Sequence, residues 1–279
     1  MSALLRQARE GGHAVPAFCT WNAETVQTVL TVASDLRAPV IIMNGPIEFT
    51  LLPPRDMAAV AHALAKRFNL PAALHLDHGD SFTQVQACLD SGYTSVMLDY
   101  SNRPFAENVA AMQQVVAMAR PRGATVEGEL GHVGRVGDAT PEGTGAGNLT
   151  DPDQAAAFVA ETGIDALAVA IGNAHGQYTR LPQLDFDRLA AIRDAVAVPL
   201  VLHGGSGTPE QDLRRAISLG IAKVNVATEL ITAVRDSLLT QWRAEQNLWA
   251  PAAQALAMQA LAPVVEKWIR LTSAAGAAP

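Results

Sequence analysis

Eight short apolar runs, each followed by a longer amphipathic stretch, set the limits on what this chain can fold into. They begin at Ala14-Val15-Pro16-Ala17-Phe18, Pro39-Val40-Ile41-Ile42-Met43, Ala72-Ala73-Leu74-His75-Leu76, Ser95-Val96-Met97-Leu98, Thr125-Val126-Glu127-Gly128, Ala166-Leu167-Ala168-Val169-Ala170, Pro199-Leu200-Val201-Leu202 and Lys223-Val224-Asn225-Val226. Runs of this length and composition read as strands, and their alternation with helical patterns predicts a parallel sheet. Eight is the closing number of a (β/α)8 TIM barrel. Helix-start signals agree: Asn22-Ala-Glu-Thr precedes one helix, while Asp151-Pro152 and Thr208-Pro209-Glu210 each place proline in a first helical turn. Ser2 to Glu10 reads as a short helix capping the barrel floor. Glu229 to Trp242 and an alanine-rich stretch from about Pro251 to Leu271 read as extra C-terminal helices.

A chain of 279 residues suits one barrel domain spanning 1–279, and no internal repeat or linker divides it. Apolar residues make up 49% and charged ones 17%, which suits a large core and excludes disorder. A net charge of -7 and a pI near 5.5 give no basic stripe for nucleic acid. The N-terminus is too polar for a signal peptide and no apolar run is long enough to span a bilayer, so a soluble cytoplasmic protein with no membrane partner is expected. Cys19 and Cys88 show no CxxC spacing and are expected to be reduced thiols. One segment breaks the rhythm. Gly131 to Asn148 holds six glycines and one proline, and reads as a long mobile active-site loop after the fifth strand, the alternative being a surface insertion.

Barrel active sites lie at the C-terminal ends of the strands, so the polar residues that end each run are the candidates. The third run ends His75-Leu76-Asp77-His78, the fourth at Asp99, the fifth at Glu129 and the seventh at His203, and the sixth leads to His175. One such histidine is usually a core or surface residue. Three on one rim make a neutral imidazole set, His78, His175 and His203, that suits zinc with an open position for substrate, where the ion acts as a Lewis acid. Asp77 could transfer a proton to or from substrate or orient an imidazole. Asp99 and Glu129 could hold the metal in an alternative position, balance its charge, or hydrogen-bond within the barrel.

After the seventh run comes His203-Gly204-Gly205-Ser206-Gly207-Thr208-Pro209, and after the eighth Asn225-Val226-Ala227-Thr228-Glu229, both leading into helices. Glycine backbone N–H groups, hydroxyls and helix N-termini together suit a phosphate. A phosphate anchor beside an open metal site and a carboxylate points to enolisation of a phosphorylated ketone, with carbon–carbon cleavage or formation following.

These residues resemble the class II fructose-bisphosphate and tagatose-bisphosphate aldolase family, closest to its tagatose-bisphosphate branch. The resemblance rests on HLDHG at His75 to Gly79, SVMLDYSNRPFAENV at Ser95 to Val109, EGEL at Glu127 to Leu130 and DPDQAAAFVAETGIDALAVAIGNAHGQY at Asp151 to Tyr178. It continues through LDFDRL at Leu184 to Leu189, PLVLHGGSG at Pro199 to Gly207 and KVNVATEL at Lys223 to Leu230. It implies a lyase in which His78, His175 and His203 bind Zn2+ or another divalent metal, with Glu129 and Asp99 as alternate carboxylates and Asp77 as the acid/base at the aldehyde oxygen. It further implies that Gly204, Gly205, Ser206, Asn225, Ala227 and Thr228, with Gly176 from the GNAHGQY run, bind the phosphosugar as dihydroxyacetone phosphate. A monovalent cation and a homodimer or homotetramer belong to the same expectation.

Three positions depart from the family pattern. Cys19 stands where an Asn usually binds the ketose, although Asn22 remains. Gly137 stands where the loop Glu is expected, leaving Asp138 or Glu142 as substitutes. Gln246 stands where an Arg usually meets a second phosphate, so the distal end of the substrate is expected to lack one unless Arg135 serves instead. The alternative reading is a non-catalytic paralogue that binds metal and phosphosugar as a regulatory or stabilising subunit. A barrel hydrolase would leave the paired phosphate loops unexplained.

Overall fold

The computed structural model describes residues 1–136, 148–176 and 180–278. Its elements are α1 (Ser2–Gly11), β1 (Val15–Cys19), α2 (Ala23–Asp35), β2 (Val40–Asn44), α3 (Pro54–Phe68), β3 (Ala72–Gly79), α4 (Phe82–Asp90), β4 (Ser95–Leu98), α5 (Phe105–Ala119), β5 (Thr125–Leu130), α6 (Pro152–Thr162), β6 (Ala166–Val169), α7 (Phe186–Ala195), β7 (Leu200–Leu202), α8 (Glu210–Ser218), β8 (Ile221–Val226), α9 (Thr228–Ala244) and α10 (Ala250–Leu271). The eight strands pair in sequence order, all parallel, and β8 closes onto β1 to complete the (β/α)8 barrel. Among the described residues no helix is long and apolar enough to cross a membrane.

Strand alternation divides the core into two layers. Val40 and Ile42 of β2, and Leu167 and Val169 of β6, face the helices. Ile41 and Met43, with Ala166 and Ala168, face the barrel interior, where Leu5 and Ala8 of α1 plug the floor. Alternate residues on a strand share a face, and the narrow interior favours small side chains low in the barrel. Burial on both faces explains why the runs are apolar throughout rather than alternating.

Local signals fix the helix starts. Asn22 accepts the Thr25 N–H at 3.0 Å in a capping box that opens α2. Asp151 accepts the N–H groups of Asp153 and Gln154 ahead of Pro152 in α6. The third signal is displaced by one position: α8 begins at Glu210 and Pro209 is its N-cap rather than a residue of its first turn. Both cysteines are unpaired and buried.

Candidate metal centre

At β3 the rule of alternation is broken, and the break builds the site. Consecutive strand residues normally face opposite sides, so Asp77 and His78 should not share a cavity. His78 instead adopts φ 47, a left-handed conformation rare outside glycine, and the β3–β4 register shifts between Leu76 and Gly79. Such an irregularity re-aims a side chain at a cost of about 1–3 kcal/mol for the strained backbone. Both residues consequently reach the mouth.

Three histidines meet there. The coordinating nitrogens of His78, His175 and His203 lie within 4.8 Å of one another. His78 Nδ1 bonds Asp99 Oδ2 at 2.8 Å, and His175 Nδ1 bonds the Val133 carbonyl oxygen at 3.1 Å. Carboxylate and carbonyl oxygens can only accept, so both rings keep their protons on Nδ1 and turn Nε2 to the centre. The two Nε2 atoms face each other at 3.2 Å. A shared proton is one solution to that approach and a metal cation the other.

His203 comes at the centre from the opposite edge. Its Nε2 bonds Glu127 Oε1 at 2.9 Å, and its Nδ1 stands 3.1 Å from Glu129 Oε2. That second pair is out of line for a hydrogen bond, and both atoms are buried without a hydrogen-bond partner. An imidazole nitrogen and a carboxylate oxygen, orphaned and facing each other, are the donor set a divalent ion takes up. The residues present therefore fit a metal.

Protonation follows the same geometry. Burial opposes charge on His203, but the Glu127 bond and the Glu129 and Asp77 carboxylates raise its pKa to about 10. Burial likewise opposes charge on His78, and Asp77 with the Asp99 bond overcomes it and raises the pKa. His175 is lowered to about 4 by burial and by its two imidazole neighbours. Asp77 is held below the usual carboxylate range, against its burial, by His78 and His203.

A buried polar layer lies under the centre, and the sequence reading passed over it. Lys223 Nζ bonds both oxygens of Glu127, at 2.9 and 2.8 Å, and both residues are wholly buried. His75 bonds Ser95 through Nδ1 at 2.8 Å, with Nε2 3.8 Å from Asp77 and from Glu127. Asn173 donates to the His203 carbonyl oxygen at 3.0 Å. The signal that could have found Glu127 and Lys223 was again alternation: each stands two residues before a proposed site residue, Glu129 and Asn225, on the same strand face.

The remaining expected residues are distributed as follows. Asn225 Nδ2 donates to Asp77 Oδ1 at 2.9 Å, tying the eighth strand to the proposed acid/base. Gly204 has φ 65, and a Cβ there would lie 2.0 Å from the Ala174 carbonyl oxygen, so only glycine fits. A cavity of about 360 Å³ is lined by Gly176, Ser206, Gly207 and Thr228 among others. Thr228 is the first residue of α9 and Ala227 its N-cap, so the helix N-terminus opens at that cavity. Glu229 takes the Gly207 N–H at 3.2 Å and is itself held by Lys267 and Trp268. Asn22 uses its Oδ1 to cap α2. Gln246 lies between α9 and α10.

Arg135 and His175 pair in an isolated parallel bridge that pins the start of the loop after β5 beside the centre. Gly137, Asp138 and Glu142, the positions on which the loop acid was expected, lie outside the described residues.

The sequence matches the family described as fructose-bisphosphate aldolase class II over residues 1–277. In three dimensions the chain is similar to the YdjI aldolase from Escherichia coli K12, with 35% identity and a TM-score of 0.88, over 100% of this chain and 98% of that one. It is also similar to fructose-bisphosphate aldolase (Fba) from Campylobacter jejuni, with 21% identity and a TM-score of 0.84, over 98% of this chain and 94% of that one. The second likeness is one of fold.

Proposed function

Because the chain belongs to the class II fructose-bisphosphate aldolase family, and is thereby an aldolase, we propose that it is metal-dependent and reversibly cleaves a ketose phosphate of the tagatose/fructose-bisphosphate type to dihydroxyacetone phosphate and an aldehyde. The observation that carries this reading is the meeting of His78, His175 and His203 with the orphaned Glu129 Oε2, beside Asp77.

His78, His175 and His203 would hold the ion, with Glu129 and Asp99 as its neighbouring carboxylates. A bound divalent metal, zinc in the first place, supplies Lewis acidity at a ketone oxygen. Asp77, oriented by Asn225, takes the proton of the hydroxyl next to the breaking bond. As that hydroxyl carbon becomes an aldehyde, the carbon–carbon electron pair stays with the ketose fragment as an enediolate, which then takes a proton at carbon. Condensation runs the same steps backwards, and Asp77 returns its proton to the aldehyde oxygen. The group that serves the ketose carbon is Asp138 or Glu142 in this reading.

Gly176, Gly204, Gly205, Ser206, Asn225, Ala227 and Thr228 anchor the phosphate, supported by the cavity at the α9 N-terminus. A monovalent cation at these loops, and a homodimer or homotetramer, complete the proposal. Exposure of Trp242 at 39% and Trp249 at 74% supports the assembly, and light scattering of the purified protein decides it.

The test is cleavage of a panel of ketose mono- and bisphosphates by zinc-loaded protein, coupled to detection of dihydroxyacetone phosphate. Release from at least one of them supports the reading. Bound zinc with no release from any member would favour the non-catalytic paralogue.

A further inference from the structure

We propose that Glu48 makes the aldehyde end of this site selective for uncharged, hydroxyl-bearing aldehydes, its carboxylate accepting their hydroxyl protons and turning phosphorylated aldehydes away. This inference rests on the aldolase reading above and names the substrate class within it.

Glu48 lies in the loop between β2 and α3, and its carboxylate is folded back over the barrel mouth. Glu48 Oε2 accepts the Gly45 N–H at 2.8 Å, and Oε1 accepts the Cys19 thiol at 3.5 Å. Cys19 ends β1 and packs among the side chains of the barrel interior. Glu48 is also close to the reacting end of Asp77's strand. A methyl group placed on Gly45 would lie 2.9 Å from the Asp77 carbonyl oxygen and 3.3 Å from Glu48 Oε2. Burial keeps the Cys19 thiol protonated, and the charges of Glu48 and Asp77 push the same way. The wall offered to substrate is thus a neutral thiol and an acceptor carboxylate.

Position assigns this wall to the aldehyde. Asp77 exchanges its proton with the aldehyde oxygen, so the aldehyde sits against β3. The phosphate loops after β7 and β8 hold the other fragment. In a closed eight-stranded barrel β1 and β2 stand opposite β5 and β6, across the mouth from His175 and Glu129. Chain segments 19–22, 44–52 and 77–82 contain no lysine or arginine, and they do contain Glu48, Asp77 and Asp80. Like charges brought together in a partly desolvated site disfavour an anionic tail, and a half-buried carboxylate acceptor favours a partner with a hydroxyl to offer over one without.

The experiment is condensation of dihydroxyacetone phosphate with glyceraldehyde, glyceraldehyde 3-phosphate or propanal, by the zinc-loaded full chain and its Glu48→Gln and Glu48→Ala variants. The wild-type protein is expected to have a higher kcat/KM for glyceraldehyde than for either competitor. Glu48→Gln keeps the shape and removes the charge, and should shift the ratio about tenfold toward glyceraldehyde 3-phosphate. Glu48→Ala should cut the preference for glyceraldehyde over propanal about tenfold. Brisk condensation with both ratios within about twofold of wild type overturns the assignment to Glu48 alone. Absence of condensation with every aldehyde overturns the aldolase reading and the inference with it.

Discussion

His203 turns its Nε2 edge to Glu127 at 2.9 Å and its Nδ1 edge to Glu129 at 3.1 Å, so one buried carboxylate fixes the ring and the other shares its open side. Glu127 is held in turn by Lys223, on the strand next to that of His203. The proposed metal ligand is therefore set by two wholly buried side chains, Glu127 and behind it Lys223.

Loss of the orienting carboxylate should show first in metal affinity. Partners that fix a ligating imidazole typically change affinity about 10- to 100-fold when removed. Glu127→Gln is expected to weaken zinc binding by that range in competition with a chromophoric chelator, with His203 still in place. Unchanged affinity would make Glu127 a packing residue only.

The Glu127–Lys223 pair is also a stability element of a particular kind. Both groups are fully buried, so Glu127→Met leaves Lys223 without its bonds to that carboxylate, at about 3–5 kcal/mol, while Lys223→Met leaves Glu127 its bond to His203 and costs less. Glu127→Met and Lys223→Met should each lower the urea midpoint of the metal-free protein accordingly. The double variant should recover most of the loss, because well-packed apolar pairs often replace buried ion pairs without cost. Additive losses in the cycle would contradict a direct coupling.

Metal uptake should compete with protons. Against its burial, His203 has its pKa raised to about 10, so it carries the extra proton at neutral pH when no cation is bound, and Asp77 with the Asp99 bond shifts His78 in the same direction. Coordination needs the neutral rings, and each proton expelled steepens the dependence toward about tenfold per pH unit. Zinc affinity is expected to rise from pH 6 to pH 8, with proton release visible when the calorimetric heat is compared across buffers. A flat affinity would place the metal elsewhere.

Asp77 is given a proton-transfer role, and its removal should separate chemistry from binding. Asp77→Asn keeps an acceptor for Asn225 while losing the base, and kcat should fall about 10²- to 10⁴-fold with zinc content unchanged. A matching rise in KM with kcat intact would make Asp77 a positioning residue instead.

Much of this centre is legible in the sequence. Apolar runs ending in Asp77-His78, Asp99, Glu129 and His203 placed those residues on one rim, because strand ends in a barrel converge. The conformation that brings Asp77 and His78 to the same side was not legible: a left-handed histidine leaves no mark in composition, and alternation argues against it. Glu127 and Lys223 were hidden differently, as charges inside apolar strands whose pairing depends on which strands face each other across the barrel. Pro209 lies just outside the first turn that its sequence position suggests, as N-cap of α8, because proline suits either side of a helix start. Glu48 sits in a loop, where spacing carries no periodic signal.

The central claim is that a metal held by His78, His175 and His203 drives enolisation of dihydroxyacetone phosphate, and it can be tested without knowing the aldehyde. The measurement is exchange of the carbon-bound proton of dihydroxyacetone phosphate with deuterated water, followed by NMR. The account predicts exchange by the zinc-loaded protein that stops on chelation, returns when zinc is restored and is absent in His78→Ala. Exchange that persists through chelation, or its absence from zinc-loaded protein that binds dihydroxyacetone phosphate, would contradict it.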